Sequence, residues 1–136
     1  HFGDYTLKFS ERRETLGIVT FPIILTEFQA FTSCLWLKVR PPTVPRPMNL
    51  LRYAEQDGNF SMDLRPDGKE YKIILSIWPS TQRFNKQVKY PSLDGGWHHV
   101  CTSWTCVDGR GAIYIDGSQT SFIDIGNGTK FPGGGT

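Results

Sequence analysis

A chain of 136 residues suits one domain and leaves little room for two. Its 15 basic and 13 acidic side chains leave a formal net charge of +2, which removes the main argument for a nucleic-acid-binding protein, since such proteins need a basic stripe to neutralise phosphates. A hydrophobic share of 38%, with 9 Phe, 5 Tyr and 4 Trp, suffices for a core and argues against disorder, while no apolar run reaches the ~20 residues of a membrane-spanning helix.

Taken in order, the segments read as strands. Tyr5-Thr6-Leu7-Lys8-Phe9 alternates apolar and polar side chains, the period of a half-buried strand, and Leu16 to Phe21 is β-branched and apolar. Ile23 to Phe28 is a loop or a short helical turn. Ala30 to Val39 places Phe31, Ser33, Leu35, Leu37 and Val39 on one face, and Thr32, Cys34, Trp36 and Lys38 on the other. Asn49 to Ala54, Phe60 to Leu64, Tyr71 to Trp78 and Phe84 to Tyr90 follow. Trp97 to Trp104, Ala112 to Asp116 and Gln119 to Ile125 complete the series.

The gaps carry turn chemistry. Pro41, Pro42, Pro45 and Pro47 forbid a regular ladder across their segment. Asp57-Gly58, Asp67-Gly68, Asp94-Gly95-Gly96, Asp108-Gly109 and Asp116-Gly117 are favourable turns, because Asp tolerates and Gly readily adopts left-handed backbone angles. About ten short strands separated in this way predict an all-β protein, an antiparallel two-sheet sandwich or a barrel. The Gly-rich tail from Phe131 to Thr136 has the composition of a connector. The chain opens on His1 without the charged, apolar and small-residue order of a secretory leader, as expected of a processed protein or a segment of a longer one.

The 3 cysteines suggest one disulfide and one remaining thiol. Asn59-Phe60-Ser61 and Asn127-Gly128-Thr129 fit the N-glycosylation pattern, so Asn59 and Asn127 are candidate glycan acceptors. Together these signals point to an extracellular location. Cys34 lies mid-strand beside Trp36. Cys101 lies in Trp97-His98-His99-Val100-Cys101-Thr102-Ser103-Trp104-Thr105-Cys106, a segment between two Asp-Gly turns that reads as one long strand. Two mid-strand cysteines bridge neighbouring strands when their Cα atoms approach to about 4.4–6.8 Å.

His99-x-Cys101-x-Ser103-Trp104 resembles the signature of the pentraxin family, His-x-Cys-x-Ser/Thr-Trp-x-Ser/Thr. Ala30-Phe31-Thr32-Ser33-Cys34-Leu35 is similar to the segment holding the family's first cysteine, and Tyr114-Ile115-Asp116-Gly117 to the strand end after the signature. Tyr5 to Phe9 and the stretch ending near Phe21 resemble the opening strands. Phe131 to Thr136 resembles the loop before the calcium-binding segment. The resemblance implies a concanavalin-like, laminin-G-like jelly roll of two antiparallel sheets, with the family bridge carried onto Cys34 and Cys101. It implies a single domain over 1–136 that lacks its C-terminal strands. It also implies an extracellular recognition or adhesion module rather than an enzyme. Family ligands include phosphocholine, phosphoethanolamine, polyanions and carbohydrate held through calcium, so the partners expected are extracellular proteins, glycans or phospholipid head groups. A homo-oligomer or a place in a larger multidomain protein fits the same resemblance.

Three departures qualify it. The last signature position is Cys106, which is left without a partner if Cys34 bonds Cys101. Its thiol is then buried and inert, bonded to a cysteine beyond this chain, or bonded to another chain. The family's adjacent Asp-Asn calcium ligands appear here as Gln56-Asp57-Gly58-Asn59, with Asn59 displaced by one residue. Asp57 and Asn59 offer hard oxygens that suit Ca²⁺, yet two groups do not make a site, and a plain β-turn uses the same residues. A glycan on Asn59 would oppose a calcium role. The main acidic calcium loop of the family has no counterpart before Thr136.

The remaining candidates weigh lightly. His98 and His99 are adjacent on a strand and point to opposite faces, so they do not chelate one metal together. His99 is expected to hydrogen-bond inside the sandwich, and His98 to face solvent or the opposite layer. Cys106, five residues after Cys101, points to the face opposite it. Trp36, Trp78, Trp97 and Trp104 are expected to pack in the core or at strand edges, with Trp78 the best candidate for exposure as a sugar-stacking platform. A jelly-roll glycan hydrolase needs paired carboxylates, but Glu11, Glu14, Glu27, Glu55 and Glu70 are scattered, and no Gly-x-Ser-x-Gly elbow occurs. The alternative to a recognition module is a structural assembly module that contacts other proteins without calcium or a small ligand.

Overall fold

The structure, a computed structural model, describes residues 29–39, 46–55, 58–78, 84–91 and 94–124. Eight strands lie within them: β1 (Ala30–Lys38), β2 (Met48–Glu55), β3 (Gly58–Asp67), β4 (Glu70–Trp78), β5 (Phe84–Tyr90), β6 (Trp97–Thr105), β7 (Arg110–Ile115) and β8 (Ser118–Asp124). The strands expected over Tyr5 to Phe9 and Leu16 to Phe21 lie outside the described residues, as does the segment from Ile23 to Phe28.

Two four-stranded antiparallel sheets form, in the orders β1-β6-β7-β8 and β2-β3-β4-β5. The sandwich expected from the turn spacing and the jelly-roll resemblance is therefore present. Strict alternation sets the register, because a slip by one residue would turn a strand's apolar set to water. In β4, Tyr71, Ile73, Leu75 and Ile77 are buried while Lys72, Ile74 and Ser76 are only partly covered. In β6, His98, Val100, Thr102 and Trp104 point inward. The core joins Met62, Leu64, Ile73, Leu75 and Ile77 of one sheet to Val100, Trp104, Ile113, Ile115 and Ile123 of the other. Phe31 packs across the interface on Phe60, with ring centroids 4.6 Å apart.

Strand β3 runs further than the sequence pattern predicts and includes Pro66, opposite Tyr71. Its pairing with β2 ends at Leu64. Proline, which brings no N–H, thus falls where β2 no longer flanks the strand. Strand β6 ends at Thr105, one residue beyond the Trp97 to Trp104 run and one short of the longer segment through Cys106, and Cys106 opens the next turn with its N–H donating to the Gln29 carbonyl at 2.7 Å. The β7–β8 hairpin turns on Asp116 and Gly117, with φ of 53° and 80°. Two successive left-handed residues match the right-handed strand twist, which is why Asp-Gly suits this hairpin. Beyond the turn the register shifts between Ile113 and Tyr114, and the Thr120 hydroxyl donates to the Ile113 carbonyl at 3.1 Å.

Candidate functional site

The outer face of the sheet β1-β6-β7-β8 gathers most of the unusual chemistry. Cys34 and Cys101 stand directly opposite in the β1–β6 register, with Cα atoms 4.1 Å apart, and form a disulfide. This is the pairing implied by the pentraxin resemblance. The next pair along the same face is Trp36 opposite His99, and the next is Lys38 opposite Trp97. The Trp36 and His99 rings lie 4.8 Å apart, and the Lys38 ammonium sits 5.9 Å from the Trp97 ring centroid. The His99 ring nitrogens approach the Cys101 Sγ to 3.7 and 3.8 Å.

Two expectations are corrected on this face. His99 does not bond inside the sandwich; it lies outside because it shares strand parity with Cys101. Trp78 is not the most exposed tryptophan: Trp36 is 65% exposed, Trp97 47% and Trp78 42%, and only Trp104 is core at 2%. Trp36 alternates with Leu35 and Leu37, so once those face inward it must face out. Phe122, 74% exposed on β8, adds another apolar side chain to the surface of this sheet.

His98 takes the inward parity and is 8% exposed. It faces the opposite layer, where the Tyr90 ring meets it edge-on with centroids 5.4 Å apart. Its two ring nitrogens each meet a carboxylate: Nδ1 lies 2.6 Å from Asp116 Oδ2, and Nε2 lies 2.8 Å from Asp94 Oδ1. An imidazole with a carboxylate at both nitrogens favours the doubly protonated cation, so the hydrogen bonds to Asp116 and then Asp94 raise the His98 pKa. The same bonds hold both carboxyls below the usual carboxylate range. The backbone N–H groups of Gly96 and His99 donate to Asp94 and Asp116, each at 2.9 Å, and act in the same direction. The sequence places Asp94 in a turn and Asp116 at a strand end before a turn, and gives neither a partner. Their shared placement at the His98 end of β6 was the available signal, but joining them requires the three-dimensional fold.

The Tyr90 hydroxyl donates to the Leu37 carbonyl of the other sheet at 3.2 Å, and burial pushes its pKa up to about 12. Together Tyr90, His98, Asp94 and Asp116 tie the two layers and two turns at one end of the sandwich. Among the described residues this is a structural clamp, with both imidazole nitrogens already engaged.

The remaining candidates are dispersed. Asn59 lies in β3 opposite Ala54 and Trp78 and is half-buried, whereas Asp57 and Asn127 lie outside the described residues. Of the two candidate calcium ligands only Asn59 is described, and its one amide oxygen falls short of the six to eight oxygens that Ca²⁺ takes. Cys106 is a free thiol, 5% exposed, on the face opposite the disulfide. A hollow of about 410 Å³ beside the β1–β6 end is lined by Thr32, Ser103, Thr105 and Arg110 among others, with no carboxylate among the described residues of its lining.

Comparison with known proteins agrees with this architecture. The family model described as the concanavalin A-like lectin/glucanases superfamily matches residues 15–135. Neuronal pentraxin-1 of Homo sapiens is 35% identical over 102 residues, which cover 70% of this chain and 20% of that protein. The neuronal pentraxin receptor of Homo sapiens is 31% identical over 103 residues, covering 68% and 17%. The chain thus spans about a fifth of these relatives' length. The crystal structure of a native heptameric SAP-like pentraxin from Limulus polyphemus superposes with a TM-score of 0.60 and 25% identity, over 85% of this chain and 53% of that one. The chain belongs to the concanavalin A-like lectin/glucanases superfamily, as a pentraxin-like domain.

Proposed function

We propose that the chain is a non-enzymatic recognition module of an extracellular protein, which binds a glycan, a phosphorylated head group or another protein. The observation that carries the proposal is the pentraxin-like sandwich itself, with the family's cross-strand bridge between Cys34 and Cys101. The bridge suits an oxidising compartment, where such bonds persist. A glycan on Asn127 belongs to the same reading, and a glycan on Asn59 is the alternative to a calcium role for that side chain.

Calcium dependence is part of the proposal, through Asp57 and Asn59 and further oxygens that they do not supply. The test is immobilised phosphocholine, phosphoethanolamine and a glycan panel, probed with and without calcium, with unfolding temperature followed in parallel. A ligand retained with calcium and released by a chelator, with a higher midpoint in calcium, supports the calcium-dependent form. Retention without any shift supports recognition independent of the ion. No retention on any surface overturns recognition of these small ligands.

The second reading is an assembly module that contacts other proteins without a small ligand. The exposed Trp36 and Trp97, on paired strands of one face, favour it, since neighbouring apolar side chains mark contact surfaces, and Phe122 is exposed on β8 at the far edge of the same sheet. Cys106 bonded to another cysteine would add a covalent contact, whereas its present burial suits the inert thiol. Sedimentation of the oxidised chain across a concentration series, followed by non-reducing mass analysis, distinguishes these states.

A further inference from the structure

We propose that reduction of the Cys34–Cys101 bond converts the outer face of β1 and β6 into a binding site for Zn²⁺, with Cys34, Cys101 and His99 as its three protein ligands. One ligand atom from each of these residues lies within 4.8 Å of the others. Tetrahedral zinc with Zn–S near 2.3 Å and Zn–N near 2.0–2.1 Å separates sulfur from nitrogen by about 3.6 Å and sulfur from sulfur by about 3.8 Å. The His99 nitrogens already stand 3.7 and 3.8 Å from the Cys101 Sγ. Turning the imidazole about its Cβ–Cγ bond aims one nitrogen at the ion. Releasing the S–S bond lets two small side-chain rotations open the sulfurs to the required edge.

The backbone holds the ligands in place without the bond. Strands β1 and β6 pair continuously from Ala30 opposite Thr105 to Lys38 opposite Trp97, so Cys34 stays opposite Cys101 when the sulfurs part. The site is open to solvent on one side, because Cys34 is exposed and Cys101 and His99 are half-buried. A reductant and an ion therefore reach it, and water takes the fourth position. Two thiolates and an imidazole select a borderline-soft cation and reject Ca²⁺, which takes hard oxygens.

The redox step balances with a dithiol as reductant. Its two sulfurs give up two electrons and two protons and join as a disulfide, while Cys34 and Cys101 become thiols. Each thiol then loses its proton to solvent as its sulfur binds the cation.

The test uses the full chain reduced by a phosphine under argon and titrated with Co²⁺, a spectroscopic stand-in for Zn²⁺. The phosphine becomes its oxide with oxygen from water and replaces the dithiol. The reduced chain is expected to take one Co²⁺ with a thiolate-to-cobalt charge-transfer band and tetrahedral d–d bands, both erased by one equivalent of Zn²⁺. The oxidised chain is expected to show neither. His99→Ala should weaken binding at least tenfold, Cys34→Ser should abolish the charge-transfer band, and Cys106→Ser should leave the spectrum unchanged. Unaltered affinity in His99→Ala, a spectrum that depends on Cys106, or loss of the β-sheet circular dichroism on reduction before metal is added would each overturn the proposal.

Discussion

The two sheets present different surfaces, although Trp78 also faces outward from β4. The outer face of β2-β3-β4-β5 is tied by short polar contacts: the Asn49 amide donates to Asp63 at 2.8 Å, the Ser76 hydroxyl to Asn85 at 2.7 Å, and Lys89 pairs with Glu70 at 2.7 Å. The outer face of β1-β6-β7-β8 carries the disulfide, the Trp36–His99 stack and exposed Trp97 and Phe122. Among the described residues both sheets have four strands and share one core, so strand number does not account for the contrast. An aromatic outer face is costly to leave in water, and it points to contacts made by that sheet.

Breaking the covalent tie should have the largest effect. In the chain-entropy model, a bond spanning 67 residues contributes up to about 4 kcal/mol, so Cys34→Ser with Cys101→Ser should lower urea-unfolding stability by about 3–4 kcal/mol. Gly111→Ala should follow at about 2–3 kcal/mol in the same assay. A Cβ there would run into the Ser103 carbonyl oxygen and the Trp104 Cα, and backbone moves aside less readily than a flexible side chain.

The clamp at the end of β6 gives a pH signature. His98 is raised in the folded chain, so its contribution is complete below its unfolded value near 6.5 and is lost as pH rises through the folded value. Asp94 and Asp116 are lowered, so theirs is complete above about 3.8 and is lost as pH falls through their folded values. Thermal midpoints should therefore plateau between about pH 4 and pH 6.5. His98→Gln should flatten the alkaline decline and also shrink the acid one, because the bonds to His98 are the largest cause of the lowering at Asp94 and Asp116.

Surface changes sharpen the contrast between the sheets at the small end. Asn49→Ala removes one exposed hydrogen bond and should cost about 0.5–1 kcal/mol. Trp36→Ser with Phe122→Ser should change stability by about 0.5 kcal/mol or less, yet reduce self-association at high concentration in light scattering. Asn85→Ala and Gln87→Ala on the other sheet should leave scattering unchanged.

Much of this was legible because a strand's period is two. Alternation in Ala30 to Val39 separated Trp36 and Cys34 from Leu35 and Leu37, and the strand from Phe84 to Tyr90 was read with its observed bounds. The same parity places His99 beside Cys101 and His98 beside Val100 and Trp104. The error lay in singling out Trp78 for exposure when Leu35 and Leu37 had already claimed the inward face and turned Trp36 out. The Asp94–His98–Asp116 clamp was less accessible. Its members come from the β6 approach, β6 itself and the β7–β8 turn, and only packing brings them together. The bridge needed the family motif, since two mid-strand cysteines do not say which strands are neighbours.

The position of the disulfide also has a mechanical consequence. All of β2-β3-β4-β5 lies in sequence between Cys34 and Cys101. Tension applied to the two termini passes from one sulfur to the other and bypasses these four strands. The bond thereby withholds 67 residues from extension, a contour length of roughly 230 Å. Under load β2-β3-β4-β5 remains slack while β1, β6, β7 and β8 carry the pull, so a reductant would act as the release catch on a folded reserve of chain.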